Sequence, residues 1–162
     1  MIRFPARAFL ALFLLFSLGC AQHPTPPASH ATSFEHPNPE LASLAPQWAT
    51  AFSKGDLNAL MSLYDKDALM WGTSSSSMRK GSNAIRDYYT KLLRAFPGTR
   101  VSLEETTLRV YGEAAVNSGS YTMTRVSREG GDSVTAARFT MVSARREGKW
   151  LIVDHHLSLA AR

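Results

Sequence analysis

The chain has 162 residues, 44% of them hydrophobic and 19% charged, which is ordinary for a globular protein long enough to bury one core. Its formal net charge is +5, but the basic residues are scattered and form no arm or stripe, so nucleic-acid binding is not expected. A single cysteine, Cys20, excludes an internal disulfide.

The first nineteen residues have the organisation of an export signal. Arg3 and Arg7 precede or enter the apolar run around Ala8–Phe16, and Ser17-Leu18-Gly19 leads into Cys20. A basic start, a short apolar stretch and small residues before a cut describe a bacterial signal peptide over residues 1–19, and the run is too short for a comfortable membrane span. Cys20 stands where a lipoprotein would carry its lipid, although Ser17 occupies the place where leucine is usual. The expectation is a lipid anchor on Cys20 and a place in the bacterial cell envelope, in the periplasm, with simple secretion as the alternative.

Residues 20–40 follow, with Pro24, Pro26, Pro27, Pro37 and Pro39 among Ala, Ser, Thr and His. Such a segment cannot bury enough apolar surface to order itself, and reads as a tether. His23, His30 and His36 are spaced too irregularly to argue for a metal site.

The folded domain is expected over residues 41–162. Leu44, Trp48, Ala51 and Phe52 recur at three- and four-residue spacing and mark a helical face. Gly55 is a helix stop, and Asp56 an N-cap for a second helix, Leu57 to Tyr64, whose apolar face holds Leu57, Leu60, Met61 and Tyr64. A short strand from Ala68 to Trp71 comes next, with Asp67 expected to cap the turn into it or, as the alternative, to face the cavity, and then a Ser-rich loop from Gly72 to Lys80. Ser82 is the expected cap of a third helix carrying Ile85, Tyr88, Tyr89, Leu92 and Leu93, which Pro97-Gly98 ends.

From Val101 the pattern turns to period two. Val101 to Tyr111, Ala114 to Val126, Val134 to Arg145 and Trp150 to Ser158 read as strands, broken at Gly112, Gly130-Gly131 and Gly148. Three helices followed by strands predict an α+β fold: a curved antiparallel sheet, covered by the helices, forming a cone. Cones of this kind often keep a cavity where sheet and helices diverge.

The densest ionisable group is Asp154-His155-His156, on the last strand. Strand alternation sends His155 and His156 to opposite faces and puts Asp154 with His156. One of them, paired with Asp154, is a candidate acid–base group, and a dimer-interface contact is the alternative. Arg138 offers a planar donor fork to an anionic ligand or to a structural partner such as Asp154 or Asp67. Trp48, Tyr64, Trp71, Tyr88 and Tyr121 are candidate pocket aromatics, with packing as the plainer role. The domain holds no HxH, HxxxH or cysteine cluster, so no metal and no cofactor is expected.

The ordered set Trp48-ATAFSKGD-Leu57, Tyr64-DKDAL, Arg79-KGSNAIRDYY, Ala115-VNSGSYT and Arg138-FTMV…EGKWLIVDHH resembles the nuclear transport factor 2-like superfamily. Its SgcJ/EcaC and SnoaL-like branch is the nearest in pattern, and the association domain of calcium/calmodulin-dependent protein kinase II shares the closing hairpin. The resemblance covers about Leu41 to Ser158. It implies a cystatin-like roll with a pocket between sheet and long helix, and a homodimer formed through the outer sheet face.

Two departures bear on chemistry. Ketosteroid isomerases of this fold use a tyrosine and an aspartate at places that fall here on Trp48 and Gly72. The kinase domain's arginines fall on Met141 and Leu157. The resemblance therefore implies a small-molecule-binding domain without that catalytic apparatus, and the N-terminal segment makes the expected domain exported and lipid-anchored. An acid–base isomerase or cyclase using His156 or His155 with Asp154 is the first alternative, and a structural dimerisation module the second. The binding reading predicts an open cavity large enough for a ligand, and an interior filled by Trp48, Met70 and Phe139 would count against that reading.

Overall fold

The computed structural model describes residues 38–73, 75–126 and 131–161, all within one compact unit spanning 32–162. The expected signal segment, Cys20 and nearly all of the tether lie outside the described residues.

Helix α1 runs Pro39–Lys54. The Asn38 side chain accepts a hydrogen bond from the Glu40 N–H at 2.9 Å, and Pro39 takes the first helical position. The helix thus starts two residues before the expected boundary. A proline there loses no hydrogen bond and has its φ preset, so Pro39 opens the domain rather than ending the tether. Gly55 closes α1 with φ 67°, and Asp56 caps α2, Leu57–Met61, by accepting from the Ala59 N–H at 2.9 Å.

Helix α2 is a single short turn, and Tyr64 is not on it. Tyr64 opens strand β1, Tyr64–Trp71, because the chain is captured there by the last strand: the Ile152 N–H donates to the Leu63 carbonyl at 2.8 Å. The Asp65 carboxylate, not Asp67, accepts from the backbone in this turn, taking the Asp67 N–H at 2.8 Å. Strand β2, Arg79–Lys80, leads directly into α3, Gly81–Ala95. Lys80 holds the cap position and no side chain caps the helix, so Ser82 lies one turn-position inside it.

Strands β3 (Arg100–Tyr111), β4 (Ala114–Arg125), β5 (Ser133–Arg146) and β6 (Lys149–Leu159) follow as consecutive antiparallel neighbours. The sheet order is β2-β1-β6-β5-β4-β3. Among the described residues only the β1–β6 pairing is parallel. Helix α1 packs toward β3 and α3 toward β1, on one face of the sheet. That face contributes Ala68 and Met70 of β1, Met123 of β4, Phe139 and Met141 of β5, and Ile152 of β6 to the core. Trp48 and Phe52 of α1 and Ile85 and Tyr89 of α3 close it from the helical side. Fully burying each large apolar side chain contributes roughly 1.5–3 kcal/mol, so this layer carries most of the stability.

One irregularity decides what β6 shows to the interior. Ser143 pairs with Ile152, but Val142 pairs with Asp154, leaving Val153 as an extra residue in a β-bulge. Trp150 and Ile152 are buried before the bulge, His155 and Leu157 after it.

Candidate functional site

The bulge turns His155 into the core, where none of its surface is exposed. Its Nδ1 lies 2.7 Å from the Tyr64 hydroxyl, which is 2.8 Å from the Tyr89 hydroxyl. The Trp48 indole N–H donates to Tyr89 Oη at 3.0 Å. Four buried groups from α1, α3, β1 and β6 thus form one linear chain of hydrogen bonds through the core.

Counting donors fixes its polarity. Trp48 can only donate, so Tyr89 Oη accepts from it and can pass its own proton to Tyr64; Tyr64 then donates to His155 Nδ1. Every hydroxyl proton is used, and the imidazole carries its proton on Nε2. The reverse order would leave both the Tyr89 hydroxyl proton and the Nε2 lone pair without partners. In the favoured order one group remains: Nε2–H, buried and without a hydrogen-bond partner in the protein.

Burial is the main reason that the His155 pKa falls to about 3, and the nearby His156 lowers it further. The imidazole is therefore neutral near pH 7. The same burial pushes the Tyr64 and Tyr89 phenols up, so both stay protonated and keep their donors. As an acid–base catalyst such a histidine is poorly matched to neutral pH, because it has no ionic proton to give and little basicity. As a fixed neutral donor it is well placed.

Aromatic rings wall this donor in. The Trp48 and Phe139 rings stand edge-on to the imidazole with centroids at 5.1 and 6.2 Å. Tyr121 packs against both, at 5.8 and 6.4 Å, and its hydroxyl meets Thr73 Oγ1 at 2.9 Å at the start of the Ser-rich loop. Beside it Gly72 is buried against Tyr88: a Cβ there would stand 2.3 Å from the phenol ring.

The structure separates the candidates of the sequence. Trp48, Tyr64 and Tyr121 meet around His155 in the interior. Trp48, Met70 and Phe139 fill that interior, so no open pocket surrounds the imidazole in this conformation. His156 is exposed on the opposite face of the sheet, and half-buried Asp154 hydrogen-bonds to neither histidine. The bulge at Val153 is the cause, since it divides the Asp154-His155-His156 trio with His155 alone inside. Arg138 and Trp71 also point outward and are exposed, so neither contributes to the interior and Arg138 pairs with neither Asp154 nor Asp67. Among the described residues no three His, Cys, Asp or Glu side chains come together to hold a metal ion.

Sequence reasoning missed Tyr89 as a polar hub and Thr73 as the partner of Tyr121. Tyr89 was visible only as one more apolar position of a helix, and its hydroxyl acquires a role through partners on two other elements. A surface groove of ≈ 450 Å³ among the described residues lies elsewhere. It runs between the end of α1 and α3 past Lys54, Leu93 and Thr99, and it reaches none of Trp48, Tyr64, Tyr89 or His155.

Comparison with known proteins places this geometry in a family. Residues 38–161 match the model of the calcium/calmodulin dependent protein kinase II association domain. A crystal structure of a candidate association domain of this kind from Xanthomonas campestris is 31% identical, covers 76% of this chain and 87% of its own, and superposes with a TM-score of 0.68. A nuclear transport factor 2-like protein from Salmonella enterica (22% identity, 76% and 90% covered, TM-score 0.68) shares the fold. So does a candidate dehydratase of that family from Streptomyces avermitilis (15% identity, 76% and 95% covered, TM-score 0.69). No curated protein matches. The chain belongs to the calcium/calmodulin-dependent protein kinase II association domain family and has the nuclear transport factor 2-like, cystatin-like fold.

Proposed function

We propose that this protein is an exported, lipid-anchored binding domain that takes a small, partly apolar molecule into the helix-covered face of its sheet. The observation that carries the reading is the Nε2–H of His155, a buried donor with no protein partner at the end of an otherwise satisfied relay. A buried donor left unmet costs about 1–3 kcal/mol, and a ligand oxygen would recover it. The filled interior counts against binding in this conformation, so a guest enters only if Met70 and Met141 beside His155 repack to admit it among the surrounding rings. The acid–base alternative has less support, because His155 touches no carboxylate and is neutral over a wide pH range.

Native mass spectrometry of the protein purified from its own host tests the reading. A retained small molecule that is lost in His155→Phe is the expected result. A ligand-free protein, or a guest held equally by the variant, would overturn it.

The anchor is supported by Cys20 at the end of the apolar run. Radiolabelled fatty acid should enter the wild-type protein and not Cys20→Ser; label in the variant would refute the anchor. The outer sheet face carries small polar side chains, Ser118, Ser120, Thr122 and Thr140, with Arg138 among them, and a homodimer through it is part of the proposal. Sedimentation equilibrium is expected to give twice the chain mass.

A further inference from the structure

One end of the domain presents an aromatic ring and arginines together. Arg100 pairs with Thr124 and Val101 with Met123, so the start of β3 lies beside the end of β4. The turn from α3 to β3, Phe96-Pro97-Gly98, is thereby laid on Val126, and a Cβ built on Gly98 would touch Val126 Cγ2 at 3.6 Å. Phe96 and Val126 are 41% and 42% exposed. The turn is nevertheless firmly held. The Phe96 N–H donates to the Leu92 carbonyl at 3.0 Å, and the buried Thr99 hydroxyl donates to the Phe96 carbonyl at 2.7 Å. Backbone contacts on both sides thus fix the ring at the surface, although burying it would be favourable. A groove of ≈ 640 Å³ runs along it past Arg94, Ala95, Pro97 and Val126.

Arginines rim this tip. Arg125, the last residue of β4, lays its guanidinium over the Phe96 ring with Cζ 4.4 Å from the centroid, and its Nε is buried without a hydrogen-bond partner. Arg94 is exposed in the last turn of α3, and exposed Arg100 opens β3 on the other side of the turn. Asp132 lies 4.0 Å from Arg100 and offsets that charge. Among the described residues no carboxylate pairs with Arg94 or Arg125. Arg94 has a local use as well, since a cation in the last turn offsets the negative end of its helix. Arg125, on a strand, has none. Stacking on the ring holds its planar fork in place while keeping in-plane N–H donors for an anion.

We infer that this tip is a membrane-contact surface: Phe96, Pro97 and Val126 enter the boundary of a bilayer, and Arg94 and Arg125 take the phosphates of anionic headgroups. An exposed apolar tip inside a basic rim matches the two layers of that boundary, acyl chains below and phosphates above. A protein partner matches less well. A fully buried aromatic side chain covers about 150–250 Å², so the exposed part of Phe96 supplies on the order of 100 Å², against ~800 Å² per partner in a stable complex. The contact is independent of the interior around His155. An anchor on Cys20 would hold the domain at such a surface, where a weak contact suffices, but the tip itself needs no anchor to meet the lipid.

The test places the isotope-labelled full chain with vesicles carrying a spin-labelled lipid, in phosphatidylcholine alone or mixed with phosphatidylglycerol. Broadening of backbone amide signals by the spin label reports which residues meet the lipid. On the mixed vesicles Phe96 and Val126 are expected to broaden more strongly than Tyr111, which is 49% exposed but ends β3 at the far side from Arg100. The difference should vanish on phosphatidylcholine alone and shrink in high salt. Arg125→Gln should shift the contact equilibrium about fivefold toward release, and Arg125→Lys by less, since the charge survives. Dispersed amide spectra establish that both variants are folded. Equal broadening at Phe96 and Tyr111, or equal broadening on the two compositions, overturns the contact whether or not an anchor holds the protein on the vesicle. If inorganic phosphate or a polyglutamate peptide shifts the Phe96 and Arg125 signals while mixed vesicles leave them sharp, the tip serves a soluble anion or an acidic protein, and the membrane contact is overturned.

Discussion

The imidazole of His155 and the phenol of Tyr64 meet at 2.7 Å, joining the last strand of the domain to the first through a contact 91 residues long in sequence. Replacing Tyr64 by Phe leaves the Tyr89 hydroxyl proton and His155 Nδ1 unmet at once while changing little in shape. At about 1–3 kcal/mol for each buried group left without a partner, Tyr64→Phe is expected to cost about 2–6 kcal/mol. Urea denaturation measures it. A loss below about 0.5 kcal/mol, the scale of an ordinary surface change, would mean that the relay contributes nothing.

The pH dependence follows from the lowered pKa of His155. In the unfolded chain this side chain titrates near 6.5, and in the fold only near 3, so between these values the unfolded state binds the additional proton. Its contribution is complete above about pH 6.5 and is lost as the pH falls toward 3, at up to about 1.4 kcal/mol per pH unit. Stability measured at steps between roughly pH 7 and pH 4 should fall more steeply for wild type than for His155→Gln. Parallel curves would assign the acid sensitivity to other groups.

The outer members of the trio should be nearly silent. His156 is exposed and Asp154 makes no ion pair among the described residues, so His156→Ala and Asp154→Asn should each change stability by no more than about 0.5 kcal/mol. His156→Ala should also raise the His155 pKa somewhat, because it removes the second cause of its depression. A loss of guest binding in either variant would return the outer face to consideration as a site.

Much of the fold was legible because it is written in local rules. Gly55 and Asp56 act as stop and cap, as their chemistry demands, and the ends of the last four strands fall within one residue of those expected. What failed to show was decided at long range. Tyr64 reads as helical in its own segment and becomes a strand residue through pairing with Ile152. The orientation of Asp154, His155 and His156 depends on one unpaired residue, Val153, that no periodicity marks. Arg138 reads as a fork for a ligand or for a structural partner, and it shares a face with outward Thr140; Arg79 reads as part of a polar loop and is registered opposite inward Met70.

Gly119 should be the least replaceable glycine in the sheet. A Cβ there would stand 2.1 Å from the Glu105 carbonyl oxygen and 2.9 Å from the Phe139 ring. The carbonyl is backbone and cannot swing away, so Gly119→Ala must displace strand β3 and is expected to cost about 1–3 kcal/mol or more. Thermal unfolding of this variant against Gly148→Ala, whose site is spatially open but at φ 84°, separates crowding from backbone strain. A smaller loss at Gly119 than at Gly148 would contradict the crowding account.

The extra residue in β6 also bears on how such a domain changes over evolutionary time. If the strand ran straight through Val153 with no residue removed, every side chain after it would exchange faces. Asp154 and His156 would enter the interior together and His155 would leave it. Deleting Val153 instead would keep His155 inside on a regular strand. Smoothing of one bulge, with no change in length, therefore separates a neutral recognition interior from one holding an acid and a base, and the sequence already carries the residues for both.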